Sequence, residues 1–166
     1  MKYRIGLLAA AMVAFLGAGV AAAASPAQAA TPFNFYLEQS PSIQYCLVTN
    51  GVGSPVTIAS SADTICANVT ATKDGVDGIY TVWQFTNGNG NCIRANSSDQ
   101  VKLAKGTCST TDQGSEWIVT NGTLSHGAHD VRLENLLTHL WLKTNGYAAG
   151  DNVLVGTGGE NDWFLV

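Results

Sequence analysis

Short segments of β-branched and aromatic residues, separated by turn dipeptides, dominate the chain after residue 30. Such segments lie at residues 79–85, 100–103, 117–119 and 152–155. Asn-Gly, Asp-Gly and Gly-Gly pairs punctuate the sequence between and around them, at residues 74–75, 87–88, 121–122 and 158–159. Strand-forming residues bounded by turn residues in this way predict an all-β protein.

One segment, residues 131–142, also fits an amphipathic helix. Its leucines at 133, 136, 137 and 140 would share one face at helical spacing. This is the only stretch after residue 30 with such a pattern, so a helix and a β-hairpin remain alternatives from periodicity alone.

Three sequence patterns recur in the same order and favour the hairpin. An apolar-x-amide triplet begins at Leu37, Phe85 and Leu133, at intervals of 48 residues. A second echo follows near residues 45–50, 91–96 and 140–145, and a third at residues 56–58, 101–103 and 153–155. A period of this size indicates three equivalent units, none of which buries its apolar face alone. The segments near Leu37 and Phe85 have no helical pattern, so residues 131–142 are predicted to form a hairpin.

The first residues of the chain have the pattern of a signal peptide. Lys2 and Arg4 precede an uncharged apolar stretch at residues 5–24, and Ala27-Gln28-Ala29 provides a small-x-small cleavage site. An uncleaved membrane anchor is the alternative, since about twenty apolar residues can span a bilayer. The cleavage site favours removal of residues 1–29, leaving one domain of residues 30–166 that is secreted to the extracellular space.

Charge and cysteine spacing exclude several classes of partner and cofactor. Without Lys2 and Arg4, six basic residues face twelve acidic ones, a formal charge of −6. Nucleic acids and anionic membranes need a basic face, so neither is expected as a partner, and contact with a membrane is expected only during export. No cysteine pair has the C-x-x-C spacing of a zinc or redox site, so no metal or other cofactor is expected. Four cysteines allow three disulfide pairings, and spacing alone does not choose among them.

The repeated patterns resemble the ricin B-type β-trefoil family. Each unit reads apolar-x-amide, then a Cys-Leu-like segment, then Val-x-Leu, and a tryptophan closes the second and third units at Trp117 and Trp163. The resemblance covers residues 30–166 and implies a single-domain, all-β β-trefoil of three units with a period of about 48 residues. It also implies a disulfide within each of the first two units, Cys46–Cys66 and Cys92–Cys108, with Trp141 at the first cysteine position of the third.

The sequence departs from that family where sugars are bound. Sugar-binding units of the family carry an Asp directly after Cys-Leu, and this chain has Val48, Arg94 and Lys143 there. The family's Gln-x-Trp is replaced by Ser115-Glu116-Trp117 and by residues 161–163, Asn-Asp-Trp. The resemblance therefore implies the fold but not the family's galactose specificity.

A rebuilt saccharide site is predicted in the third unit. A sugar needs an aromatic face for its C–H side and amide or carboxylate groups for its hydroxyls. Asn145, Tyr147, Asp151 and Asn152 share one glycine-rich loop, with Asn161 and Asp162 expected nearby. A solvated turn held by side-chain-to-backbone bonds is the competing interpretation. The second unit has Asn96, Asp99 and Gln100 but no exposed aromatic, which makes it a weaker candidate.

Catalytic patterns are weak, and no enzyme activity is expected. The two histidines in residues 126–130 fit a polar loop better than a metal or acid–base cluster. The carboxylates Glu116, Glu134, Glu160 and Asp162 are possible members of a glycosidase pair, but their positions in sequence indicate no geometry. No Gly-x-Ser-x-Gly or His-Glu-x-x-His motif occurs.

Two classes of function remain. The first is a lectin-like module that recognises a cell-surface or wall glycan, favoured by the amide-rich loops. The second is an adaptor that binds a secreted or cell-surface protein, for example as a subunit of a toxin assembly or as an inhibitor, with the strand at residues 33–37 as its docking edge. Loss of the three family Asp residues favours this second class.

Overall fold

The computed structural model describes residues 32–37, 45–62, 64–157 and 162–166, which form β-strands and one 3₁₀ turn at Gln113–Ser115. The strands are β1 Phe35–Leu37, β2 Tyr45–Thr49, β3 Val56–Ser60, β4 Val69–Asp77, β5 Tyr80–Asn87, β6 Cys92–Ala95, β7 Val101–Ala104, β8 Glu116–Asn121, β9 Arg132–Asn135, β10 Leu140–Thr144, β11 Val153–Gly156 and β12 Trp163–Leu165. The all-β prediction is confirmed. The predicted signal peptide, residues 1–29, lies outside the described residues.

The segment with two possible structures is a hairpin. β9 and β10 pair antiparallel, with Asn135 opposite Leu140 and Glu134 opposite Trp141. The four leucines of the helical pattern therefore separate: Leu133 and Leu136 are buried, Leu140 is partly buried, and Leu137 in the turn is 40 % exposed. The repeat predicted this structure correctly, and the helical spacing did not.

The strands pair into two sheets that are joined by single bridges. One sheet has the order β12-β1-β2-β3, and the other has the order β11-β10-β9-β8-β5-β6-β7 with β4 on β5. Single bridges link Phe33 to Val69 and Val131 to Trp163, across the gap between the sheets. Pairing therefore closes a ring of six strands, β1, β4, β5, β8, β9 and β12, and the other six strands form three hairpins. We call β1–β4, β5–β8 and β9–β12 the first, second and third units.

The three hairpins, which we call the cap, interlock through one hydrogen bond that occurs three times. The amide of the third residue in each Val-x-Leu-type triplet donates to a carbonyl of another unit: Leu103 to Ser54 (3.3 Å), Val155 to Asp99 (2.9 Å) and Ile58 to Asp151 (2.9 Å). Beside these bonds lie three bridges, Pro55–Lys102, Gln100–Leu154 and Thr57–Asn152. The sequence repeat thus corresponds to equivalent positions in space.

Two tryptophans fix the core beneath the cap. The indole nitrogens of Trp117 and Trp163 each donate to a backbone oxygen in the same unit, Ile93 and Leu142, at 3.3 Å. Both side chains are almost completely buried. The first unit has no tryptophan, and there the backbone amide of Ala67 donates to the oxygen of Leu47 at 2.9 Å. A backbone group therefore replaces the indole in the one unit that lacks it.

The first unit begins two residues earlier than the sequence triplets indicate. Tyr36 pairs with Cys46 as Thr86 pairs with Cys92 and Glu134 with Trp141. Phe35, rather than Leu37, is therefore the counterpart of Phe85 and Leu133. The prediction of equal 48-residue intervals starting at Leu37 is wrong in its first interval, because the connection from β1 to β2 is longer than its two counterparts.

This corrected register gives Leu37 the position occupied by Asn87 and Asn135 in the other units. Asn135 is fully buried and donates to the oxygens of Gly114 (2.9 Å) and Glu116 (3.1 Å), while its own oxygen accepts from the amide of Leu137 (3.2 Å). A buried amide with three partners fixes both the turn after β9 and the 3₁₀ turn before β8.

Both disulfides have the pairing that the resemblance implied. Cys46 is bonded to Cys66 and Cys92 to Cys108, at sequence separations of 20 and 16 residues, and there is no free cysteine among the described residues. Each bond ties a cap hairpin to the segment that leads back to the ring.

Replacing the buried Asn135 should destabilise the protein even when its volume is kept. We expect Asn135→Leu to lower the free energy of unfolding by about 2 to 3 kcal/mol, since the oxygen of Gly114 and the amide of Leu137 lose their side-chain partner. The oxygen of Glu116 keeps only its bond from the backbone amide of Leu136. Urea denaturation measures the change. Asn89→Leu, at an exposed position, is the matched control and should shift stability by no more than about 0.5 kcal/mol. Equal effects of the two substitutions would contradict the structural role of Asn135.

Removing either disulfide should lower the free energy of unfolding by a similar amount. The two loops have comparable lengths, so Cys92→Ser/Cys108→Ser and Cys46→Ser/Cys66→Ser should each lower the free energy of unfolding by about 3 kcal/mol. Urea denaturation under non-reducing conditions measures both. A loss below about 1 kcal/mol for either pair would show that its loop is already ordered in the unfolded chain.

Candidate functional site

The four predicted ligand-binding residues lie in one short loop between β10 and β11. The amide of Asn145 donates to the oxygen of Asn152 at 3.1 Å, which closes the loop at its base. Within it, the carboxylate of Asp151 accepts from the amide of Ala148 at 2.8 Å, and the amide of Asp151 donates to the oxygen of Ala148 at 3.0 Å. The loop is therefore held in one shape by Asp151.

Glycine at position 146 is required by this arrangement. A Cβ atom there would overlap the Asp151 carboxylate, so the carboxylate can lie over the backbone only because residue 146 has no side chain. One carboxylate oxygen of Asp151 accepts the hydrogen bond from the amide of Ala148, and Asp151 is half-buried. Asp151 thus shapes the loop.

The rest of the loop is exposed to solvent. Tyr147 is 53 % exposed, and Asn145 and Asn152 are exposed on either side of the loop base. Among the described residues, only Tyr80 and Tyr147 are aromatic residues with large exposure. Asp162, predicted to lie nearby, is instead paired with Arg132 (Nε to Oδ1, 2.5 Å), and Asn161 lies outside the described residues.

The loop also contacts the first unit, which the sequence did not indicate. Besides the bond from Ile58 to Asp151, the amide of Gly150 donates to the oxygen of Ile58 at 2.8 Å. Thr57 lies opposite Asn152, and its hydroxyl accepts from the side-chain amide of Asn50 at 2.9 Å. Residues more than ninety positions apart therefore share one surface, and only the threefold cap brings them together.

The weaker candidate in the second unit uses its polar groups internally. The side-chain oxygen of Asn96 accepts from the amides of Ser98 (3.0 Å) and Gln100 (3.1 Å), which forms a tight turn. Asp99 has a φ of 61°, a conformation that this turn imposes. The arrangement is a side-chain-stabilised turn with no exposed aromatic residue beside it.

At the position of the family Asp, the second unit has an ion pair. Arg94 lies 3.2 Å from Asp112, and the same oxygen of Asp112 accepts from the amide of Gly114 at the start of the 3₁₀ turn. The positions in the other units hold Val48 and Lys143. The guanidinium and Asp112 therefore stabilise local structure, and no carboxylate occupies this position in the three units.

The two histidines of residues 126–130 pack against Phe33 and Phe164. His129 stacks on Phe164 with ring centroids 4.3 Å apart, and His126 meets the edge of Phe33 at 6.3 Å. The amide of Gly127 donates to the oxygen of Leu165 at 2.6 Å. Within the part of the chain that the structure describes, no three His, Cys, Asp or Glu side chains form a group that could hold a metal ion.

The sequence did not indicate a carboxyl pair that lies between β4 of the first unit and β8 of the second. A β-bulge between Lys73 and Gly75 turns Asp74 out of the β4–β5 ladder. Its Oδ2 accepts from the side-chain amide (Nε2) of Gln84 at 3.1 Å, and its carboxyl forms a hydrogen bond with Glu116. The pair lines a groove of about 510 Å³ that also contains Asp77 and His139. No pattern of neighbouring residues in the sequence indicates this pair. The β-bulge in β4 and the pairing of β5 with both β4 and β8 bring the two carboxyls together.

Burial and Asp74 together raise the pKa of Glu116. Burial is the largest cause, followed by the hydrogen bond with Asp74 and the negative charge of the same carboxylate, while Asp112 and Asp77 add smaller contributions. Glu116 therefore holds its proton at a higher pH than an ordinary glutamate and donates it towards Asp74.

The longest hairpin, β4–β5, ends in an exposed apolar tip. Ile79 is 90 % exposed, Val76 70 % and Tyr80 44 %. A groove of about 330 Å³ beside the tip is lined partly by Trp83 and Leu124. By contrast, the docking edge expected at residues 33–37 is not free, because β1 pairs with β12 and β2 and Phe33 bridges to Val69. That expectation was wrong because Phe35 and Leu37 are core residues.

Comparisons with known proteins support the fold alone. No family model matches the chain, and no curated protein does. Among solved structures, the lysenin pore is similar at 13 % identity and a TM-score of 0.57, with 81 % of this chain and 45 % of the lysenin chain covered. The chain thus spans less than half the length of that relative. Among the described residues, no helix is both long and apolar enough to cross a membrane.

Stability should fall as the pH rises through the range in which Glu116 ionises. A raised folded pKa means that the folded protein binds more protons than the unfolded one above the ordinary value of 4.5. We expect Glu116→Gln to be more stable than wild type near pH 7 and close to it near pH 4. Thermal unfolding at both pH values measures the difference. Glu134→Gln is the control and should not gain stability near pH 7; a gain as large as that of Glu116→Gln would contradict the pairing with Asp74.

Proposed function

We propose that this chain is an exported, non-catalytic β-trefoil module that binds a cell-surface or wall glycan through the loop at residues 145–152. Three features support the β-trefoil: the twelve strands in three sets of four, the closed ring of six strands, and the hydrogen bond that occurs three times in the cap. Two disulfides support export, because such bonds persist in oxidising compartments.

The observation that carries the glycan proposal is the exposed Tyr147 on a loop whose shape is already fixed. A sugar ring stacks its C–H face on an aromatic ring, while amides exchange hydrogen bonds with its hydroxyls. Tyr147 provides the aromatic ring. Asn145 and Asn152 provide side-chain amides that form no hydrogen bond with another described residue. Because Asp151 holds the loop, little conformational entropy is lost when a ligand binds.

A binding role fits the carboxyl groups better than glycoside hydrolysis does. The carboxyls of a glycosidase pair lie about 5 Å apart or more, to admit a sugar or a water between them. Asp74 and Glu116 are hydrogen-bonded directly to one another, and Asp162 is paired with Arg132. The likeness to part of the lysenin pore chain supports a binding or toxin-related module.

A protein-binding adaptor is the second candidate, favoured by the apolar tip of the β4–β5 hairpin. Val76, Ile79 and Tyr80 form an exposed apolar group on a protruding element, and such groups mark interaction sites on many proteins. The groove that Trp83 and Leu124 line would accept one apolar side chain of the partner. This surface and the glycan loop are on different hairpins, so substitutions can separate the two functions.

Tyr147→Ala should weaken glycan binding roughly fivefold or more, because the aromatic contact contributes about 1 kcal/mol beyond its buried area. Tyr147→Phe should retain affinity, since the ring persists. Wild type and variants are compared on one glycan array and by calorimetry with the best ligand found. Folding should be unchanged, as the side chain is exposed.

Tyr80→Ala, which removes the other exposed tyrosine, is the matched control and should leave glycan affinity unaltered. If wild type binds a glycan and Tyr147→Ala binds it equally well, the site is wrong. If wild type binds no glycan while a protein partner is lost in Tyr80→Ala, the adaptor role replaces the glycan role.

A further inference from the structure

The polar surface at the glycan loop continues beyond the loop into the first unit. Asn152 lies opposite Thr57, and the hydroxyl of Thr57 accepts from the side chain of Asn50. Asn50 is exposed, and its amide also donates to the oxygen of Pro55 at 3.1 Å, which fixes the side chain. The surface from Tyr147 through Asn152 and Thr57 to Asn50, which we call the polar stripe, therefore crosses from the third unit to the first.

The hairpins of the cap meet at three junctions, each with one bridge between two units. Only the junction between the third and first units has neutral polar side chains on both sides of its bridge. The equivalent bridges join Pro55 to Lys102 and Gln100 to Leu154. A proline and a lysine, or a glutamine and a leucine, offer fewer neutral hydrogen-bonding groups than a threonine beside an asparagine. The exposed tyrosine also lies at this junction and not at the other two. Within the described cap, aromatic and neutral polar groups therefore coincide at one place.

The length of the polar stripe indicates the size of its ligand. The polar stripe lies across four neighbouring backbone segments, at residues 145, 152, 57 and 50. Neighbouring strands lie about 4.8 Å apart, so the three gaps between these segments span about 14 Å. That is longer than one pyranose ring. Hydroxyl and amide groups dominate it, and the carboxylate of Asp151 is partly used by the loop. A neutral chain of sugars matches this length and polarity.

We propose that the ligand is a neutral oligosaccharide of at least two residues, with one sugar on Tyr147 and the next across the unit junction at Thr57 and Asn50. This inference rests on the proposed glycan function and deepens it. Thr57 contacts the second sugar and not the first, so it determines preference for chain length. Tyr147 determines whether any sugar binds.

The test is a series of saccharides with one to four residues, built from β1,4-linked N-acetylglucosamine, β1,4-linked glucose or α1,6-linked mannose. With the series that binds, we expect affinity to rise about fivefold or more from one residue to three, as added hydrogen bonds form. Thr57→Val keeps the shape of the side chain and removes its hydroxyl. It should abolish this rise and leave monosaccharide affinity unchanged. Asn50→Ala, at an exposed position, should reduce the rise without affecting folding.

Lys102→Ala is the matched control, because Lys102 has the same position in the second unit as Thr57 in the first. It should leave the whole series unchanged. Equal affinity for one and three residues, with Tyr147→Ala still weakening binding, would overturn the inference and leave the glycan site intact. A loss of the rise in Lys102→Ala as well would overturn the assignment to this junction. If no saccharide of any length binds, the proposed glycan function fails together with the inference.

Discussion

Each hairpin of the cap completes the hydrogen bonding of another hairpin, and the rest of the structure depends on that exchange. Displacing any one hairpin would break two of the three bonds donated by Ile58, Leu103 and Val155, and an unpaired buried amide costs about 1 to 3 kcal/mol. A displaced hairpin would also uncover the valines at 56, 101 and 153, which are almost completely buried. The cap is therefore expected to form as a unit, with the disulfides tying two of its three hairpins to the ring.

Asp151 connects this architecture to the candidate site. Its carbonyl takes part in the cap through Ile58, and its carboxylate fixes the glycan loop through Ala148. One residue thus transmits the rigidity of the cap to a surface loop, which is how a shallow site can retain a defined shape. The acidic groove at Asp74 and Glu116 is lined by other residues and contributes to pH dependence instead.

The sequence predicted the features that depend on local pattern or on repetition. Turn dipeptides and β-branched segments indicated the strands, and the repeat correctly made residues 131–142 a hairpin despite their helical spacing. The same repeat placed the first triplet at Leu37 instead of Phe35, because residue type alone does not show that the connection from β1 to β2 is longer. The loop residues Asn145, Tyr147, Asp151 and Asn152 were found together because they are close in sequence. Thr57, Asn50 and the Asp74–Glu116 pair were missed, because strand pairing across units and a β-bulge bring them into place.

The most direct test of the account is a map of the ligand-binding surface on the folded protein in solution. The ¹⁵N-labelled protein would be titrated with the tetrasaccharides of N-acetylglucosamine, glucose and mannose, and the backbone amide shifts followed by NMR. The account predicts that one series shifts amides in residues 145–152 and, with them, amides in residues 50–58, while residues 76–83 of the β4–β5 hairpin stay unchanged. Shifts confined to residues 76–83, or no shifts with any of the three, would contradict it.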